Sequence, residues 1–219
     1  MASRLTPDQL LRAYALGVFP MARHREDERL FWIDPEERGI LPLDHFHLPR
    51  SLKKTLKREV FVVRCDSAFE EVMSRCAEPA PDRPETWINR EILRLFVQLH
   101  EVGLAHSVET WLGDELVGGL YGLSLGSAFF GESMFSRVAD ASKVALAHLV
   151  ARLRKGGYTL LDTQFVTEHL AQFGAVEVRR HDYLQLLAEA LERGATFYGD
   201  LGVDEVLALL SSQSSTQIS

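Results

Sequence analysis

The feature that most constrains this chain is the order of hydrophobic patterns in its second half. Three runs suited to strands follow one another, over His106–Trp111, Glu115–Leu123 and Ser127–Phe135, with Gly113-Asp114 and Gly126 marking the turns between them. A helix then begins at Asp140 or Ala141, carries Val144, Leu146, Leu149, Val150 and Leu153, and closes at Gly156-Gly157. A strand over Tyr158–Phe165, a short helix ending near Gly174, an extended stretch at Val176–Val178 and a last long helix over Arg180–Arg193 complete the series. The order is β-β-β-α-β-α-β-α. A strand meander followed by a crossover helix and another strand predicts an α+β domain, with a mixed sheet and helices on its faces.

The first half is less regular. Leu5–Gly17 reads as a helix, capped by Thr6 with Gln9 completing a capping box and Pro7 in the first turn. Phe19–Pro49 holds four prolines and little helical period, so it reads as loops and short strands. Arg50–Arg58 is a basic helix with Leu52 and Leu56 on its inward face. Phe61–Val63 reads as a strand, and Ser67 with Glu70 as a capping box for a helix reaching Cys76. A proline-rich loop (Pro79, Pro81, Pro84) and a helix over Asn89–Val102 follow. With 219 residues, 46% of them hydrophobic, the chain can bury one sizeable core and a small lobe. This divides it into a small N-terminal domain with the basic helix (1–60), a main domain (61–210) and a Ser/Gln-rich tail expected to be disordered (211–219).

Several function classes lose support. Met1–Leu10 has no apolar run of a secretory signal, and no stretch is long and apolar enough to span a bilayer. Two cysteines, Cys65 and Cys76, make no disulfide framework and fit a reducing, cytoplasmic setting. No metal-ligand spacing occurs, and His45 with His47, and His169 beside Glu168, read as surface or structural histidines. The net charge of −7 is unlike that of a generic nucleic-acid binder, so any RNA contact must be local. Five cations in nine residues, Arg50, Lys53, Lys54, Lys57 and Arg58, supply one candidate patch for phosphate.

Two other segments carry candidate chemistry. Gly131-Glu132-Ser133-Met134-Phe135-Ser136 offers a serine, but Phe135 stands where a nucleophile elbow needs its second glycine, so Ser133 reads as a non-nucleophile. Glu132, between Phe130 and Met134, is a carboxylate that needs a partner, either structural or a cationic substrate. In Leu160-Leu161-Asp162-Thr163-Gln164, strand alternation puts Asp162 and Gln164 on one face. Trp32, Trp87 and Trp111 stand near loops or strand ends, as core residues or as stacking platforms for a base.

Taken in order, these blocks resemble the leucyl/phenylalanyl-tRNA–protein transferase family over about Leu5–Leu187. The resemblance rests on Ala13-Tyr14, Gly17-Val18-Phe19-Pro20, Trp32-Ile33-Asp34-Pro35, Thr86-Trp87-Ile88 and Leu116–Gly122, and above all on Gly131–Ser136 and Leu161-Asp162-Thr163-Gln164. It implies a GNAT-like acyltransferase domain behind a small N-terminal domain, with no metal or cofactor. It also implies an enzyme, expected here as a cytoplasmic monomer, that takes Leu or Phe, and Met less well, from aminoacyl-tRNA. The acceptors it implies are proteins beginning with Arg or Lys, which are thereby marked for degradation. By the same resemblance Asp162 and Gln164 are the catalytic pair, and Glu132 and Ser133 lie at the bound substrates. Leu120, Phe129, Met134, Leu146 and Leu161 line the donor side-chain pocket, and Trp32 and Trp87 flank the aminoacyl-adenosine. Arg50, Lys53, Lys54, Lys57 and Arg58 hold the acceptor stem and 3′ end of the tRNA.

The chemistry needs little machinery. The donor is an activated ester, and an α-amine with a pKa of roughly 7.7–8.0 is partly neutral at pH 7. Positioning and charge stabilisation suffice, which accounts for the missing nucleophile. An amide is a feeble base, so Gln164 is expected to orient the amine, with Asp162 fixing the orientation of that amide. The alternative on the same fold is an acetyl-CoA-dependent N-acetyltransferase. Its R/Q-x-x-G-x-G/A pyrophosphate loop is missing before Ala141. A non-catalytic RNA-binding module resting on the basic helix is the second alternative.

Overall fold

The computed structural model describes residues 4–79 and 85–212. Helix α1 (Pro7–Ala15) starts with the full capping box: Thr6 accepts from the Gln9 amide and the Gln9 side chain from that of Thr6. Strands β1 (Phe19–Met21) and β2 (Phe31–Ile33) form a small antiparallel sheet with Pro20 opposite Trp32. Then come β3 (Glu37–Ile40), α2 (Arg50–Lys57), β4 (Val62–Cys65), α3 (Phe69–Cys76) and α4 (Arg90–Glu101). The second half runs β5 (Ala105–Leu112), β6 (Glu115–Leu125), β7 (Ala128–Ser136), α5 (Ala141–Gly156), β8 (Leu160–Gln164), α6 (Glu168–Ala171), β9 (Val176–Arg179), α7 (Arg180–Leu191) and α8 (Val203–Ser211). This is the order read from the sequence with one helix added.

Seven strands form one mixed sheet in the order β4-β5-β6-β7-β8-β3-β9. Every neighbouring pair is antiparallel except β7 and β8, which α5 joins by a crossover. The fold is therefore a mixed sheet flanked by helices, preceded by a short N-terminal region with its own small sheet. Alternation sends successive side chains to two cores. Tyr121 and Phe130 join one, with α1, α3, α4 and α7, whereas Leu120 and Phe129 join the other, with α2, α5 and α8. Because both faces are covered, β6 and β7 read as nearly continuous apolar runs. No helix among the described residues is long and apolar enough to cross a membrane.

Three local expectations change. The boundary drawn at residue 60 is not an edge of the sheet, because β3 inserts between β8 and β9. Ser67 and Glu70 do not form the cap of α3: Glu109, fully buried on β5, accepts from the Ser67 and Ala68 amides (2.9 and 2.8 Å) and from the Ser67 hydroxyl. A carboxylate at a helix start suits the helix dipole as well as its orphan donors. Finally, α7 is not the last helix. In α8, Val206, Leu207 and Leu210 bury a helical stripe. That helix also takes Ser211 out of the expected disordered tail, which from residue 213 lies outside the described residues.

Candidate active site

The site arises where the one parallel strand pair comes apart. β7 and β8 pair at Ala128–Leu160, Phe129–Leu161 and Phe130–Asp162, and there the pairing ends. Beyond it Gly131–Arg137 forms one wall and Thr163–Phe165 another wall of a cavity of about 700 Å³. The register of β7 against β6 also slips here. Tyr121 faces Ser133 while Gly122 faces Gly131, which leaves Glu132 as the extra residue of a β-bulge. A bulge re-aims a side chain, and this one turns Glu132 into the cavity.

Asp162 does not face the cavity beside Gln164, contrary to simple alternation. It is fully buried. Its carboxylate accepts from Arg38 Nε (3.0 and 3.1 Å), Arg38 Nη2 (2.7 Å), the Tyr183 hydroxyl (2.6 Å) and the backbone amide of Gln164 (2.7 Å). Arg38 is 1% exposed, lies over the rings of Phe19 and Tyr183, and gives Nη1 to Gly17 O (2.8 Å). Burial opposes the guanidinium charge, but Asp162 more than offsets it, and the Arg38 pKa rises. Burial and the neighbouring Asp162 carboxylate hold the Tyr183 phenol protonated. The group that Asp162 fixes is thus the backbone of Gln164, not its amide as expected.

That backbone is unusual. Gln164 has φ +58°, a left-handed conformation that ends the alternation of β8 and swings its side chain into the cavity. Opposite it is Gly39, where a Cβ would lie 2.5 Å from the carbonyl carbon of Phe165. A glycine is required for the kink to pass. The Gln164 amide is oriented by its acceptors: with Nε2 toward Gly131 O (2.8 Å) and Thr163 O (3.2 Å), both hydrogens are used and Oε1 is left to accept.

Glu132 has a different setting. The Tyr14 hydroxyl, brought by α1, donates to its Oε1 at 2.8 Å. Burial pushes the Glu132 pKa up to about 8, opposed by the Tyr14 hydrogen bond and Arg38 and assisted by Asp162. Burial and Glu132 together keep the Tyr14 phenol protonated.

Of the other residues singled out in the sequence, Leu120, Met134, Leu146 and Leu161 form an apolar side of the cavity, and Ser133 and Trp87 line it too. Phe129 lies outside the lining, fully buried and stacked on Phe197 (5.9 Å). Trp32 is not brought to the cavity. It sits 43% exposed on the small sheet, and its neighbouring strand supplies Phe19 and Met21 instead. Arg50, Lys53, Lys54, Lys57 and Arg58 stay exposed while Leu52 and Leu56 are buried. Among the described residues none of the five makes an ion pair. The Thr55 hydroxyl ties this helix to Asp140 (3.1 Å), at the start of the helix whose Ser142, Leu146 and Leu149 line the cavity. Sequence reading missed Arg38, Tyr14 and Tyr183 as site residues. Its only clue was that a carboxylate in an apolar strand needs a partner.

An apolar chamber beside an amide acceptor and a carboxylate can hold an activated acyl group against an incoming nucleophile, as an acyltransferase requires. Comparison with known proteins gives the family. The leucyl/phenylalanyl-tRNA protein transferase model matches residues 40–188, and the model of that family's N-terminal domain matches residues 3–36. Proteins named leucyl/phenylalanyl-tRNA–protein transferase are similar over nearly the whole chain. That of Paramagnetospirillum magneticum is 68% identical over 193 residues, 88% of this chain and 92% of the relative. That of Caulobacter vibrioides is 62% identical over 199 residues (91% and 92%), and that of Maricaulis maris 58% over 214 (97% of each). The chain belongs to the leucyl/phenylalanyl-tRNA–protein transferase family, and it is an aminoacyltransferase that acts on proteins.

Proposed function

We propose that the chain transfers leucine or phenylalanine, and methionine less well, from aminoacyl-tRNA to the α-amino group of proteins beginning with Arg or Lys. It does so as a cytoplasmic monomer on a GNAT-like domain without a cofactor, and the product is marked for degradation. The observation that carries this reading is the cavity between β7 and β8, with an apolar wall beside Gln164 and Glu132. The donor side chain lies against Leu120, Met134, Leu146 and Leu161, with Ser133 and Trp87 also facing the bound substrates. Such a wall discriminates by roughly 1–3 kcal/mol per methylene. The α-amine attacks the ester carbonyl carbon. The C–O bond to the terminal ribose then breaks, and the proton lost by the amine goes to the departing alkoxide. Gln164 Oε1 accepts an N–H of the amine, and its Nε2 is already held by Gly131 and Thr163. Asp162 contributes through position: it secures the left-handed backbone of Gln164 without touching substrate. Glu132 faces the acceptor's N-terminus and attracts its cationic first residue. The exposed cations of α2 hold tRNA phosphates, which gives salt-dependent binding with little reading of base sequence.

The test is transfer of radiolabelled leucine from leucyl-tRNA to a peptide beginning with Arg, with a Gly-initiated peptide and acetyl-CoA as controls. Arg-dependent transfer that is lost in Gln164→Ala supports the reading. Acetylation from acetyl-CoA without transfer from tRNA overturns it.

A further inference from the structure

Thr163 Oγ1 and His169 Nε2 are buried without a hydrogen-bond partner among the described residues. Both residues line the cavity between β7 and β8. Buried polar atoms are normally paired, so two orphans on residues that line one cavity, Thr163 on β8 and His169 on α6, point to a polar group that comes with the substrate. Burial and then the charge of Lys143 lower the His169 pKa, which leaves a neutral imidazole with an acceptor nitrogen available.

Position along β8 says which polar group this is. Leu161 belongs to the apolar wall, Thr163 follows two residues later on the same strand face, and Gln164 then turns in at the reaction centre. An aminoacyl ester presents three groups from one α-carbon: its side chain, its amino group and its carbonyl. The side chain against Leu161 and the carbonyl beside Gln164 leave the amino group next to Thr163. We propose that Thr163 and His169 bind the α-amino group of the donor aminoacyl ester, so that the enzyme requires an amino acid and not merely an acyl chain of the right shape. This rests on the proposed donor, an aminoacyl-tRNA. Thr163 Oγ1 and His169 Nε2 accept the donor's N–H groups, and because both atoms are shielded from bulk water no solvent competes for them.

The experiment compares leucyl-tRNA with 4-methylpentanoyl-tRNA, which has the same carbon skeleton but lacks the amine, as donors to an Arg-initiated peptide. The wild-type protein is set beside Thr163→Val, His169→Leu and His169→Gln. The differing reactivity of the two esters cancels when the ratio of kcat/KM values is compared between proteins. The expected result is that this ratio falls roughly tenfold in Thr163→Val and in His169→Leu, through loss of leucyl transfer while 4-methylpentanoyl transfer is kept. His169→Gln, which retains an acceptor, restores most of the ratio. An unchanged ratio in variants with wild-type thermal melting overturns the inference, as does an equal loss with both donors. A wild-type protein that transfers from neither donor overturns the proposed donor itself, and this inference with it.

Discussion

Two carboxylates meet where β7 and β8 part, and they differ in how much of their charge the fold uses. Asp162 accepts from a guanidinium, a phenol and a backbone amide and is fully buried. Glu132, on the bulge, accepts from the Tyr14 hydroxyl and opens to the cavity. The first has a dedicated cation on the adjacent strand β3; the second has no salt bridge among the described residues. A carboxylate whose countercharge is built in is part of the scaffold. One held short of its countercharge, with its pKa pushed up to about 8, is free to answer to a cation that enters the cavity, which is the role proposed for Glu132.

Breaking the scaffold pair should have the largest effect. Arg38→Leu leaves Asp162 buried without its cation and should cost about 3–5 kcal/mol of stability. Thermal melting should show a drop of roughly 10 °C for a chain of this size, with loss of activity as the Gln164 backbone relaxes. An Arg38→Leu protein that melts with the wild type would show that Asp162 is not structural. Gln164→Ala should come next. Activity should fall roughly 100-fold, the scale of one removed catalytic hydrogen-bonding group, while the melting temperature stays within a few degrees. A fall in stability comparable to that of Arg38→Leu would merge the two roles that the comparison separates.

Glu132→Gln sharpens the contrast, because its sign is opposite. The folded protein binds the Glu132 proton more tightly than the unfolded chain does. The native carboxyl therefore loses stability as pH rises from its ordinary value near 4.5 to about 8. Replacing it removes that slope, so the variant should melt higher than the wild type at pH 9 and close to it at pH 5, by several degrees at most. Activity should move the other way. Wild-type kcat/KM for an Arg-initiated acceptor should rise with pH through about 8 as the carboxylate forms. Glu132→Gln should keep only the limb of the acceptor amine itself, with a loss of roughly tenfold at pH 9. The smallest effect belongs to the surface. Single Lys53→Gln or Lys57→Gln substitutions should raise the KM for tRNA about two- to threefold and make the salt dependence shallower by somewhat less than one unit of slope. No change in slope would remove α2 from the tRNA contact.

Much of this arrangement was legible in local pattern. Helix α1 follows from Thr6, Pro7 and Gln9, because a capping box uses neighbours within one turn. The amphipathic α2 follows from Leu52 and Leu56 four residues apart. Helix α8 is legible as well, in the spacing of Val203, Val206, Leu207 and Leu210. The cap of α3 was misread because a Ser-x-x-Glu match carries no information about a carboxylate about forty residues away on β5.

The sequence by itself determined the element order of the second half, the apolar faces that cover both sides of the sheet and the polar residues on two central strands. These depend on periodicity and turn chemistry within short windows. Only the tertiary structure decided that β3 enters the sheet between β8 and β9 and so delivers Arg38 to Asp162 across 124 residues of sequence. It likewise decided that a bulge turns Glu132 inward and that a left-handed residue opposite Gly39 turns Gln164 with it. The physical reason is the same in each case. Strand alternation assigns a side chain to a face only while register is regular, and register is set by the partner strand, which local sequence does not name.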